Sequence, residues 1–245
     1  MLLPKLSIAV GPSVIDPAEV FARNAPLLID IGFGAGDTTL ALAEMHAAAN
    51  VLGIETHENG LAMLAHELEQ RGITNVRVIC ADAFDVINDM IPKQSAQIIQ
   101  LVCPDPWPKL NQSHRRLFNA TFARMLAERL VVGGELRLAT DWEPYAEQMA
   151  RIVEQEPLLE NVFACFAPPH PERPVTSYER KGLAAGRSMR DLLARRVTEQ
   201  FSSRPAAAQS ARGPIGSVRR SVVLDEFDKG AEGRLRMDEG DGRPA

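Results

Sequence analysis

The chain has little charge of one sign to spare: 27 basic side chains stand against 32 acidic ones over 245 residues, a net charge of -5. That balance gives no sign of a protein that coats nucleic acid by bulk positive charge. It leaves a local basic patch open, because phosphate binding depends on where charges sit rather than on their sum. Cysteine is sparse too. Cys80, Cys103 and Cys165 lie far apart, without metal-ligand spacing. They read as reduced thiols in or near a core, with no metal site. No apolar stretch approaches the length of a membrane span. The opening MLLPKLSIAV is too short and too weakly patterned for a secretory leader. These absences predict a cytoplasmic location without a membrane anchor.

What remains is an ordinary globular composition, 45% hydrophobic and 24% charged, long enough for one sizeable α/β domain. Residues 1–26 read as irregular. Short apolar runs then alternate with helical patterns. Strands are predicted at Leu27–Ile31, Val51–Glu55, Val76–Cys80, Ile98–Val102 and Glu135–Thr140. Helices are predicted at about 37–46, 59–71, 114–129 and 141–156, with a helical turn region at 87–91. Such alternation predicts a doubly wound, mostly parallel sheet. The domain is expected to span residues 1–195. Residues 196–245 are rich in Ser, Arg, Pro, Ala and Gly and read as a largely disordered tail, with 218–227 as a candidate strand or docking segment.

The chemistry gathers at the predicted strand ends. Asp30-Ile31-Gly32-Phe33-Gly34-Ala35-Gly36 is a strand running into a glycine turn and a helix. Small residues there let the backbone approach a ligand, and the helix start offers free amides. The spacing is not that of the dinucleotide G-x-G-x-x-G turn. Glu55 ends the second strand, where a carboxylate can accept ribose hydroxyls. Asp82, followed by Ala83, ends the third, where an adenine amino group could be received. Asp105 and Asp141 follow the fourth and fifth strands on the same edge, each close to a tryptophan, Trp107 or Trp142, that could stack on a base.

The loop Cys103-Pro104-Asp105-Pro106-Trp107-Pro108-Lys109 is stiffened by its prolines. Lys109, His114, Arg115 and Arg116 form one basic cluster beyond it. Arg173, Arg180, Lys181, Arg187 and Arg190 form another, and both could track a phosphate backbone. The stretch Arg173–Arg180 has no evident purpose as a strand or helix.

Six motifs, IDIGFGAG, LGIETHENG, ADA, PDPWPK, ATDWEPYAE and RPVTSYERKG, fall in order between Leu27 and Leu193. In that order and spacing the chain resembles the bacterial tRNA (guanine-N7-)-methyltransferases. The resemblance implies the class I S-adenosylmethionine-dependent methyltransferase fold, with its seven-stranded sheet, and methylation of a guanine in the tRNA variable loop. It implies S-adenosylmethionine as cofactor, held by Asp30, Gly32, Gly34, Gly36, Glu55, Asp82, Ala83 and Asp105, with Asp105 also catalytic. Lys109, Asp141, Thr176, Ser177, Tyr178 and Glu179 would bind substrate. The chain departs from the family pattern in having Asp30 where Glu is usual and Thr-Ser-Tyr-Glu where Thr-Lys-Phe-Glu is usual. It also has fewer basic residues after Trp107 and before the first strand. Alternative readings are an S-adenosylmethionine-binding, RNA-associated protein with weak or no transferase activity, and a nicotinamide-dependent oxidoreductase, against which the glycine spacing argues. The chain is expected to work as a monomer or a homodimer.

Overall fold

The computed structural model describes residues 6–198. Within them, β1 (Leu27–Ile31), β2 (Asn50–Glu55), β3 (Val76–Cys80), β4 (Ala96–Val102), β5 (Leu130–Thr140), β6 (Leu159–Asn161) and β7 (Arg190–Arg196) form one sheet in the order β3-β2-β1-β4-β5-β7-β6. Five of them, β3 to β5 in that order, pair in parallel; β7 runs antiparallel to both β5 and β6. Every residue of β1 is buried, as a central parallel strand covered on both faces requires. Its side chains alternate: Leu27, Ile29 and Ile31 join one core with Ile99, Phe118, Phe122 and Tyr145, while Leu28 joins the other with Val51, Leu64 and Val78.

The crossovers are α2 (Asp37–Met45), α3 (Glu58–Arg71), α4 (Ala120–Arg129) and α5 (Glu143–Gln155), preceded in the chain by the short α1 (Pro17–Phe21). Each end has a local cause. Gly72 stops α3 in the left-handed conformation, φ 64°, with its N–H returned to the last turn. The Asn119 side chain caps α4 by accepting from Phe122 N at 3.0 Å. Pro144 sits in the first turn of α5.

The structure corrects several expectations. The helix expected at 114–129 is two pieces: a 3-10 turn, Leu110–Arg115, and α4. Between them Arg116 is drawn inward, away from any continuous helical face. β5 begins at Leu130, so Gly133-Gly134 lies inside the strand rather than before it. A Cβ on Gly134 would come within 2.9 Å of Val131 O. Residues 1–26 are not wholly irregular, since Asp16 caps α1 through a bond from Ala18 N at 2.8 Å. Cys165 is exposed, not near-core. β7 carries the sheet as far as Arg196, the first residue of the expected tail; the rest of that tail from 199 on, with the segment at 218–227, lies outside the described residues.

The most consequential correction is α6 (Ser177–Ala184). Thr176 caps it by accepting from Glu179 N at 3.1 Å, which gives the TSYE stretch a plain structural role beside any chemical one.

Candidate active site

In this sheet the strand order reverses at β1, with β2 on one side and β4 on the other. Ligands of open α/β sheets bind at such a switch point, beyond the carboxyl ends of the strands. A cleft of about 610 Å³ lies there, lined by residues that follow β1, β2, β3, β4 and β5 and by α6.

On the β1 side, Gly32 and Gly34 line the cleft with φ of 70° and 55°, values that favour glycine. Helix α3 packs tightly against this turn: a Cβ on Gly60 would lie 2.1 Å from Gly34 O. Gly36, at φ 97°, packs against Leu64 instead and does not line the cleft. Asp30 does not reach the cleft either. It is 1% exposed, and its Oδ2 accepts from the hydroxyls of Thr38 at 2.7 Å and Thr39 at 2.6 Å. Burial pushes its carboxyl up, against the pull of those bonds. Its Oδ1 makes no hydrogen bond among the described residues, although the Gln100 side chain, beside it on β4, adds to the pull that lowers the carboxyl. Asp30 therefore ties the first turn of α2 to β1 from behind the glycine turn.

Glu55 does line the cleft. Its Oε2 accepts from Gly34 N at 2.9 Å, and its Oε1 from Thr56 N at 2.7 Å and His57 N at 3.1 Å. Burial alone would raise this carboxyl; the Gly34, His57 and Thr56 donors outweigh it and hold the group below its ordinary range. A carboxylate oxygen has two lone pairs, so Oε2 retains room for a ligand hydroxyl. Asp82 caps the next helical turn, accepting from Phe84 N at 2.7 Å, and lines the cleft with Ala83.

Across the switch point, the β4 loop turns sharply. Cys103 and Trp107 both adopt positive φ, 51° and 41°. Arg116, 8% exposed, fastens this loop: its Nε donates to Pro106 O at 2.8 Å and its Nη1 to Gln148 Oε1 at 2.6 Å. Asp105 lines the cleft from an exposed position, and its carboxylate has no hydrogen bond or ion pair among the described residues. The Arg115 guanidinium lies over the Trp107 ring at 4.7 Å, and both line the cleft. Burial, with the Asp141 charge adding to it, pushes the Cys103 thiol up to about 11. A thiol raised in this way is not poised as a thiolate near neutral pH.

Helix α6 roofs the cleft. Tyr178 lies over the glycine turn, its Cε2 3.6 Å from where a Gly34 Cβ would stand. Thr176, Ser177 and Lys181 also line the cleft, with the Lys181 ammonium 5.5 Å from the Tyr178 ring centre. Glu179 does not line it. It is buried against Arg173 Nη1 at 2.5 Å, while Arg173 Nε donates to Asp191 on β7 at 2.8 Å. Burial would lower the Arg173 guanidinium, but the two carboxylates outweigh it and raise it.

Part of the two expected basic clusters is thus engaged within the protein itself. Arg116 and Arg173 are buried and structural; Arg187 pairs with Asp141 at 2.9 Å and Arg190 with Glu143 at 3.1 Å. Lys109 is exposed but stands outside the cleft lining. The tryptophans divide as well: Trp107 lines the cleft, whereas Trp142 packs against the core with its Nε1 buried. Cleft residues the sequence reading passed over include Asp37 and His57. His57 was detectable as the second residue after Glu55, where a turn amide returns to the acid.

A glycine turn, a ribose-competent acid on β2 and an adenine-competent acid on β3, all at the switch point of this seven-stranded sheet, define a class I methyltransferase. S-adenosylmethionine is the methyl donor of that class, and the glycine cradle, the free lone pair of Glu55 and the acid Asp82 fit it. Among solved structures, a 30S ribosomal methyltransferase from an uncultured bacterium shares the fold at TM-score 0.55, 17% identity, covering 75% of this chain and 95% of that one. A 16S rRNA methyltransferase also matches at TM-score 0.55, with 14% identity over 74% of this chain and 92% of its own.

The family model described as "Putative methyltransferase" matches residues 24–192. The tRNA (guanine-N(7)-)-methyltransferase of Nitrosospira multiformis is 38% identical over 80% of this chain and 85% of its own length. That of Bordetella pertussis is 40% identical over 80% and 77%. The chain belongs to the tRNA (guanine-N(7)-)-methyltransferase family.

Proposed function

We propose that this protein methylates N7 of a guanine in the variable loop of tRNA. The observation that carries the reading is the unpaired Asp105 carboxylate, held by a fastened loop in the same cleft as the glycine turn, Glu55 and Asp82. The cofactor would supply a methyl group on a sulfonium: as the guanine N7 lone pair bonds to that carbon, the carbon–sulfur bond would break and its electron pair would leave with sulfur as a neutral thioether. Neutral guanine has no proton on N7, so no general base is required. The methylated guanine is cationic, and a carboxylate that meets no cation of its own is free to stabilise that developing charge. Asp105 fills this role. Asp141 is second to it, because Arg187 already neutralises it in part. The rest of the catalysis is alignment of two bound reactants.

The nucleoside half of the cofactor would lie against Glu55, Asp82 and Ala83, near Gly32 and Gly34. The tRNA would approach over Trp107, Arg115 and the exposed face of α6, where Tyr178, Arg180 and Lys181 sit. Such an enzyme works in the cytoplasm, where its substrate is. No described helix is long and apolar enough to cross a membrane, and no described cluster of His, Cys, Asp and Glu fits a metal ion. The test is incubation with labelled S-adenosylmethionine and unmodified tRNA, followed by mapping of the methylated base. Label on N7 of a variable-loop guanine supports the reading. Cofactor binding without transfer would favour the RNA-associated binding protein instead.

A further inference from the structure

We propose that Arg187, acting as a pair with Asp141, reads the Watson–Crick edge of the target guanine; this rests on the guanine-methylating reading above. Asp141 follows β5, beside the β4 loop that carries Asp105, and both acids line one cleft together with Arg187. Arg187 Nε donates to Asp141 Oδ2 at 2.9 Å. Helix α6 passes so close that a Cβ on Gly182 would lie 2.4 Å from the same oxygen. The carboxylate is therefore held from two sides.

The pair is left with unspent capacity. A guanidinium has five N–H donors. Only Nε–H is committed, and the Nη hydrogens of Arg187 meet no acceptor among the described residues. Asp141 Oδ1 likewise accepts from no described donor. Side by side, the two groups present donors next to an acceptor.

That pattern is the complement of guanine. Its Watson–Crick edge offers an acceptor, O6, followed by two donors, N1–H and the N2 amino group. Arg187 would donate to O6 and Asp141 would accept from N1–H and N2–H. Adenine places a donor at its N6 and an acceptor at N1, so the pair would meet donor with donor and acceptor with acceptor. A site built to hydrogen-bond one partner rejects the analogue that leaves its polar groups unpaired. Enzymes acting on an unstacked base read it by this edge. Held so, the base leaves N7, on its neighbouring edge, free for transfer. An exposed ion pair with no reading role would add little to stability and would leave base choice unmoved.

The test uses tRNA transcripts whose target guanine is replaced by 6-thioguanine, in which a poorly accepting sulfur stands in place of O6 while N1–H, the N2 amino group and N7 are kept; transfer is read at N7. The wild-type protein is expected to prefer guanine by about tenfold or more in kcat/KM. Arg187→Met is expected to lower kcat/KM on guanine by about tenfold and to bring the guanine-to-6-thioguanine ratio towards one, with the Kd for S-adenosylmethionine unchanged. Arg187→Lys keeps the charge but loses the planar fork, so it should recover RNA affinity and not the discrimination. A ratio near one in the wild type, or an unchanged ratio in Arg187→Met, overturns the inference while leaving the methyltransferase reading in place. Absence of methyl transfer to any guanine overturns both.

Discussion

The two sides of the cleft place their acids by different means. On the β1–β2–β3 side, the acids take neutral donors, most of them near neighbours in the chain, with Gly34, 21 residues before Glu55, as the exception. Asp82 takes the amide of Phe84, two residues on, and Glu55 those of Thr56 and His57. On the β4–β5–β7 side, acids are fixed by distant arginines: Asp141 by Arg187, 46 residues away, and Asp191 by Arg173, 18 residues away. Local turn chemistry gives the first side a shape that depends little on the rest of the chain. Long-range ion pairs make the second side conditional on how α6 and β7 dock. Asp105 belongs to neither pattern, being exposed and unpaired where the two sides meet.

That contrast ranks the expected effects of breaking each part. Replacing the unpaired acid should cost most in rate and least in stability. Asp105→Asn removes an exposed charge that makes no hydrogen bond or ion pair among the described residues and acts on Tyr145 only as a minor field, so the fold should be untouched. Turnover should fall by about 10²–10³, the range for loss of one stabilising group at a developing charge. Single-turnover kinetics beside a thermal melt would check both halves. Near-normal turnover would move the role to Asp141.

Next in size is the clamp on the other side. Arg173→Met would leave Glu179 and Asp191 buried without their cation, at side-chain exposures of 10% and 6%. Removing one partner of a buried pair typically costs about 3–5 kcal/mol. Denaturant unfolding would show it. If the cleft is conditional on this clamp, RNA-dependent KM should rise more than the Kd for S-adenosylmethionine, because Glu55 and Asp82 do not lean on α6. Equal loss of both would contradict the contrast.

The same division explains what the sequence could disclose. The five central strands, the glycine turn and the acids Glu55, Asp82, Asp105 and Asp141 were legible because short continuous apolar runs and strand-end chemistry are written in adjacent residues. Strand β7 was not, because Arg190–Arg196 carries three arginines, and no local pattern says that Arg195 and Arg196 pair with β5 and β6. The basic clusters misled for a related reason. A surface arginine recruited by phosphate and a buried one bound to carboxylates look alike in sequence; only the contacts of Arg116 and Arg173 separate them. The broken helix before α4 belongs here too, since Arg116 leaves the helical path to hold Pro106 O.

A smaller effect should come from the exposed cation left outside the cleft. Lys109→Ala touches neither core nor clamp, so stability and cofactor binding should stay level. RNA affinity should weaken, and the slope of log affinity against log salt should shrink by about one if Lys109 meets a phosphate. A slope identical to wild type would remove Lys109 from the interface.

The smallest expected effect tests the locally built side through pH. Glu55 is held below its ordinary range in the folded protein by the Gly34, His57 and Thr56 donors acting against burial. An acid with a depressed folded pKa contributes stability above its unfolded value, about 4.3, and loses it as pH falls through the folded value. Glu55→Gln should therefore flatten the acid limb of the stability curve below about pH 4.3 and leave the slope near neutral pH alone. Asp30 acts in the opposite sense. Burial raises its folded pKa, so its ionisation opposes folding above its unfolded value, about 3.9. Asp30→Asn removes that opposition but also weakens the bonds from Thr38 and Thr39 that tie α2 to β1. The two variants should thus bend the acid limb in opposite directions. A common direction would mean that the glycine-turn side is not held by its own neighbours after all.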